Sequence, residues 1–255
     1  MTHRFSGKTA LVTGSTSNIG RAIAQRLAAE GAHVIVSGRN EERGAAVVEA
    51  IRSAGGRADF VAADLDGSAE VSRALAERAL AALGGRLDIL VNNAGIFPAA
   101  TTLTADADMF DQVYGVNVKA PFFLMQALAP QMQAAGEGVI INLGSWVARL
   151  SLPLGALYAS TKAAMETLTR AWSAEFADSG IRVNAVSPGV IRDPALDGPG
   201  YGDRFMAGTP AGGSGGPEAI AAAVAYLASD EAEFVHGTVL DVDGGRTGVA
   251  VVAGA

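Results

Sequence analysis

The chain has 255 residues, no Cys, 49% hydrophobic residues, 32 Gly and a formal charge of −7. The lack of Cys excludes disulfides, thiolate metal sites and Cys nucleophiles, and His3, His33 and His236 are too scattered for a metal cluster, so no metal is expected. Dispersed basic residues, no bilayer-length apolar run and no signal-type segment after Met1 predict a cytoplasmic protein that binds neither nucleic acid nor membrane.

Thr9 to Gly14 is a short apolar run closed by Gly, and Asn18 to Glu30 carries helical periodicity with Gly31 as its cap. His33 to Gly38 is the next strand, completing a βαβ unit of about thirty residues, the kind that binds dinucleotides. The alternation continues with a helix over about 41–53, a strand at 58–63, a helix at about 68–83 and a strand at 88–92. A long helical region over 106–134 follows, in which Pro121 should kink or divide the helix, and then a strand at 138–143. After the helix that contains Tyr158 come a strand at 182–187, a helix at about 217–228 and a strand at 238–242. Near-continuously apolar strands separated by helical crossovers predict an α/β fold. It is a single-domain Rossmann-type doubly wound sheet of seven parallel strands over residues 1–255, with helices on both faces. The Gly- and Pro-rich stretch 193–216 is expected to be a mobile substrate-binding loop.

Two places carry chemistry. The Gly-rich turn from Thr13 to Gly20 joins the first strand to the first helix, where backbone N–H groups and the helix dipole attract a pyrophosphate. Tyr158 and Lys162, four residues apart, share one face of a helix above the stripe Met165, Thr169, Trp172 and Phe176. That places a phenol and an ammonium at the edge of the core, facing a crevice, although the same pentapeptide would also suit an ordinary amphipathic helix. At the end of the second strand stands Gly38 followed by Arg39, where an acidic residue would bind the ribose of NAD; a guanidinium there can pair with a 2′-phosphate instead.

The turn Thr13-Gly-Ser-Thr-Ser-Asn-Ile-Gly20 resembles the Thr-Gly-x-x-x-Gly-x-Gly turn of the short-chain dehydrogenase/reductase family, with Asn18 in place of the middle Gly. Asn92-Asn-Ala-Gly95, the ordered set Asn117, Ser145, Tyr158 and Lys162, Ser187-Pro-Gly189 and Asp241-Val-Asp-Gly-Gly245 extend the likeness over nearly the whole chain. The resemblance implies a catalytic tetrad of Asn117, Ser145, Tyr158 and Lys162. It implies a cofactor site of Gly14, Ser17, Asn18, Ile19, Gly20, Arg39, Asp64, Leu65, Asn92, Ala94 and Gly95, the first Asn mainly bracing the sheet. Tyr158, Lys162, Pro188, Gly189 and Ile191 complete that site around the nicotinamide. Asp193 stands where the family commonly has Thr.

By the same resemblance the chain interconverts a ketone and a secondary alcohol, with NADP(H) preferred and NAD(H) the alternative. Tyr158 exchanges the proton and the Ser145 hydroxyl bonds the substrate oxygen, while Asn117 holds a water that links Lys162 to solvent. Lys162 would lower the phenol by about three units, which takes about 4 kcal/mol. Ser145, Trp146, Leu154 and Tyr158 are the expected substrate contacts, with Phe97 and Leu152 as further apolar wall and Tyr201, Phe205 and Met206 as a lid. A small ketone, a 3-oxoacyl thioester or a cyclic alcohol would each fit. The family implies a homotetramer built on the long helices around Asn117 and Tyr158. The competing class is a non-catalytic dinucleotide sensor or scaffold on the same fold.

Overall fold

The computed structural model describes residues 3–150, 152–153, 155–193 and 202–250. In chain order the elements begin β1 (Thr9–Val12), α1 (Asn18–Ala29), β2 (His33–Gly38), α2 (Glu41–Ser53), β3 (Arg57–Ala62), α3 (Ala69–Ala82) and β4 (Ile89–Asn92). They continue with α4 (Ala107–Tyr114), α5 (Ala120–Ala135), β5 (Gly138–Leu143), α6 (Ala156–Glu175), β6 (Ile181–Pro188), α7 (Pro217–Ala228) and β7 (Val239–Val242). The seven strands form one parallel sheet in the order β3-β2-β1-β4-β5-β6-β7. The expected fold class is therefore the observed one.

The strands read as unbroken apolar runs because successive side chains are buried on opposite faces. Ala10 and Val12 of β1, Val34 and Val36 of β2 and Ile89 and Val91 of β4 pack under α1, α2 and α7. Leu11, Ile35 and Leu90, one residue out of step, pack under α3, α5 and α6. The chain order reverses at β1, which pairs with both β2 and β4, so a crevice opens beyond the carboxyl ends of β1 and β4.

The long helical region changes its bonding next to Pro121. The backbone stays helical over 107–135, but a π turn at Gly115–Lys119 joins α4 to α5 just before Pro121, which brings no N–H to the helical ladder. A second proline, Pro130, lies inside α5, and the helix runs past it to a left-handed Gly136.

Candidate active site

A cavity of about 440 Å³ occupies the crevice at the reversal of chain order. The turn after β1 forms its floor. Gly14 has φ +61°, and a methyl group on it would stand 2.8 Å from Ala94 Cα; one on Gly20 would collide with Gly14 O. Glycine at both places lets the turn fold tightly against the β4 turn and leaves the N-terminus of α1 open to an anion. Asn18 adopts φ +38°, a left-handed angle that Asn tolerates better than other side chains, and its Oδ1 is buried without a hydrogen-bond partner. The β4 turn is held in place by Asn93, whose Nδ2 donates to Thr13 O at 2.8 Å and to Gly14 O at 3.0 Å.

Ser17, Ile19, Arg39, Asp64, Leu65, Ala94 and Gly95 line the cavity with Gly14, Asn18 and Gly20. Arg39 Nε lies 3.6 Å from Asp64 Oδ1, both side chains largely exposed. Arg43, in the first turn of α2 and four residues past Arg39, also lines the cavity and was not anticipated. A narrow glycine cradle at a helix N-terminus with two guanidinium groups on the same cavity fits a dinucleotide.

Other expected contacts are placed elsewhere. Asn92 is turned into the sheet, its Nδ2 donating to Asn142 Oδ1 at 2.9 Å, so it braces β4 to β5 and does not line the cavity. Pro188, Gly189 and Ile191 also lie outside its lining. Gly189 packs against the β7 turn, where an added methyl would meet Asp243 Cα at 2.6 Å, and Ile191 bridges to Gly215.

The Tyr158 helix brings three of the four tetrad residues together and faces the fourth. Ser145, two residues past β5, caps the short turn Trp146–Ala148, and its hydroxyl acts on the Tyr158 phenol in the direction of ionisation. Lys162, 5% exposed, donates from Nζ to Leu143 O at 2.9 Å and lies 5.6 Å from the Tyr158 ring centre. Asn117 and Lys162 converge on Gly95, where a methyl group would be 3.4 Å from Asn117 Oδ1 and 3.6 Å from Lys162 Nζ. The Asn117 side-chain amide is tied to the turn after β4 and to α6. Its Oδ1 accepts from Ile96 N–H at 2.8 Å and its Nδ2 donates to Ile96 O and to Thr161 Oγ1, both at 3.0 Å.

The ionisation of the pair also differs from expectation. Burial pushes the Tyr158 phenol up to about 12, with the Ser145 hydrogen bond pulling the other way. Burial pushes Lys162 down to about 8, opposed by the charge of Glu166. The protein by itself thus keeps the phenol protonated, and the ammonium gives one of its three N–H groups to Leu143 O.

Around Tyr158, Phe97 is 56% exposed and its ring centre is 4.7 Å from the Tyr158 ring centre, as an apolar wall requires. Trp146 is not in the open wall; it is 5% exposed and lies beneath the Arg246 guanidinium, 5.0 Å from its ring centre. Met206 is 1% exposed and packs under the β7 turn, so it is core and not lid. Leu154 and Tyr201 lie outside the described residues. Within the stretch 202–216, a short 3-10 turn at Asp203–Phe205 is tied down by Asp203 Oδ1, which accepts from Ser214 N–H at 2.8 Å. Among the described residues no helix is long and apolar enough to cross a membrane, and no group of three or more His, Cys, Asp or Glu could hold a metal ion.

The chain matches a family model described as enoyl-(acyl carrier protein) reductase over residues 14–247. It is 41% identical over 250 residues to a 3β-hydroxysteroid dehydrogenase of Eggerthella lenta, covering 95% of each chain. A solved short-chain dehydrogenase/reductase family protein, 43% identical, superposes with a TM-score of 0.86 over 96% of this chain and all of that one. A blue fluorescent protein from a metagenomic library, solved in complex with NADPH, is 34% identical, with a TM-score of 0.87 over 96% of this chain and all of that one.

Proposed function

The chain belongs to the short-chain dehydrogenase/reductase family, and from that premise we propose that it interconverts a ketone and a secondary alcohol with NADP(H), Tyr158 acting as the acid and base. The observation that carries this reading is the convergence of Tyr158 and Lys162, whose Nζ lies 5.6 Å from the Tyr158 ring centre, on Gly95 at the cavity wall, which is packed against Lys162 and Asn117. When bound, the nicotinamide supplies or accepts the hydride at the carbon of the reacting bond.

Tyr158 donates its proton to the carbonyl oxygen in reduction. A phenol raised by burial to about 12 is protonated at neutral pH and has that proton to give. Ser145 places a second donor on the same oxygen and shares charge that develops there. Lys162 stands where it can hold ribose hydroxyls and return a proton to Tyr158. Asn117 fixes the Ile96 turn against α6, which keeps the wall between cofactor and catalytic helix in register.

Preference for NADP(H) is supported by the lack of a carboxylate at the end of β2 and by Arg39 and Arg43 at the cavity rim. The bound NADPH of the metagenomic neighbour agrees with this. The exposed Phe97 wall beside Tyr158 and the hydroxysteroid relative point to a cyclic, largely apolar substrate. Tyr158→Phe should lose most of the turnover of such ketones, by about a hundredfold or more, while binding NADPH as before. NADPH consumption at an unchanged rate would reject the assignment. We further propose a tetramer: Phe110 on α4 and Phe122 on α5 are exposed apolar rings on the helices that the family uses for assembly. Sedimentation at the mass of one 25.8 kDa chain would exclude it.

A further inference from the structure

Glu166 lies one turn beyond Lys162 on α6 and has no part in the chemistry above. It is 5% exposed, and its Oε1 is buried with no hydrogen-bond partner. A buried carboxylate short of partners is costly, so its retention beside a reacting centre calls for a physical reason.

Its surroundings supply one. The Ser145 backbone N–H favours the ionised form of the carboxylate, the smallest of the influences on it. Gly144, the residue before Ser145, leaves room for it: a methyl group there would be 2.8 Å from Oε1. Arg149, from the turn after β5, holds Nε 3.9 Å from Oε2 while its other nitrogens bind Asp241 of β7. On α6 itself, Lys162 is four residues back on the same face.

We propose that Glu166 is a positioning residue of the reaction: its carboxylate anchors the Ser145 turn and supplies the negative charge that keeps the Lys162 ammonium protonated inside the protein. This rests on the reading of Ser145, Tyr158 and Lys162 as the reacting set. The charged groups that act on the carboxyl are Arg149 from the turn, Asp241 from β7 and Arg170 from α6. Burial raises the carboxyl above its ordinary range, with Arg149 the largest of the opposing effects. On the ammonium, burial acts downward and Glu166 is the charge that acts upward.

Lys8, Lys119 and Lys162 are the three lysines of the chain, so labelling lysine Cε with 13C allows each to be titrated by NMR without cofactor or substrate. Glu166→Gln keeps the volume and removes the charge. The Lys162 midpoint should then fall by about one unit, the scale expected of an opposite charge at close range, with Lys8 and Lys119 as internal references. In turnover, the alkaline limb of kcat should move to lower pH with it. An unmoved Lys162 midpoint overturns the proposal, and so does slower turnover with an unmoved alkaline limb, which would make Glu166 purely structural. If Glu166→Gln does not fold, Glu166→Met, of similar volume and no charge, is read in the same way. If the native protein turns over no carbonyl or alcohol, the enzymatic reading fails, whereas the NMR titration still decides the charge role of Glu166.

Discussion

Lys162 shows how a single buried charge sets stability against function. Its midpoint falls from 10.5 to about 8, so folding at neutral pH carries a desolvation cost of about 3 kcal/mol for that ammonium. The hydrogen bond to Leu143 O returns about 1–2 kcal/mol of it. Lys162→Met should therefore abolish turnover yet raise the stability of the fold by about 1 kcal/mol at pH 7, measured by urea unfolding. The sign follows from linkage. A lysine depressed in the native state costs most below pH 8, and the cost fades as pH rises toward the unfolded value of 10.5. The gain in the variant should accordingly shrink between those limits. A variant less stable than the native chain at pH 7 and no worse at pH 10 would contradict this account of Lys162.

At the scale of elements, the π turn between α4 and α5 decides where Asn117 points. The wider turn carries Asn117 into the core, 1% exposed, where its amide ties the Ile96 backbone on one side to Thr161 of α6 on the other. Asn117→Ala removes all three bonds and strands the Ile96 N–H and C=O, a loss of about 2–4 kcal/mol. Faster hydrogen exchange at the Ile96 amide than at β1 amides is the expected signature; unchanged Ile96 protection would show that another group holds the turn. The strands and helices were legible because burial on alternate faces writes a continuous apolar run, and their ends fall within a residue or two of the spacing read from the chain. The π turn itself was not legible, since an added residue in a helix has no side-chain signature; Pro121, two residues past its end, marked only the neighbourhood. In the site, spacing indicated which residues meet at the crevice. The resemblance gave the bracing role of Asn92, whose partner is Asn142, but nothing in the sequence revealed that Asn117 and Trp146 are engaged by Ile96 and Arg246, partners far off in the chain. Arg43 could have been found, being four residues from Arg39 at the helix end that closes the βα turn.

For the whole molecule, a formal charge of −7 makes the cavity rim electrostatically unusual, because an acidic chain places Arg39 and Arg43 together where a dinucleotide would end. A ligand that binds only the folded state stabilises it by about 2.7 kcal/mol at a hundredfold excess over its Kd. For a chain of this size that corresponds to a rise in Tm of roughly 5–10 °C. NADPH should give a rise on this scale and NADH a smaller one at the same concentration. Salt should erode the NADPH shift more, since the exposed guanidinium–phosphate attraction is screened over about 10 Å at 0.1 M. Arg39→Ala should lower the NADPH shift toward that of NADH and leave the NADH shift nearly as it was, because the pairing lost is with the 2′-phosphate. It would also release Asp64 from its cation, adding a repulsion that acts on the 2′-phosphate and not on a ribose hydroxyl. Equal losses for the two nucleotides would remove the 2′-phosphate role from Arg39. A larger loss for NADH would mean that the Arg39–Asp64 pair serves the adenosine ribose, and NAD(H) would then be the working cofactor.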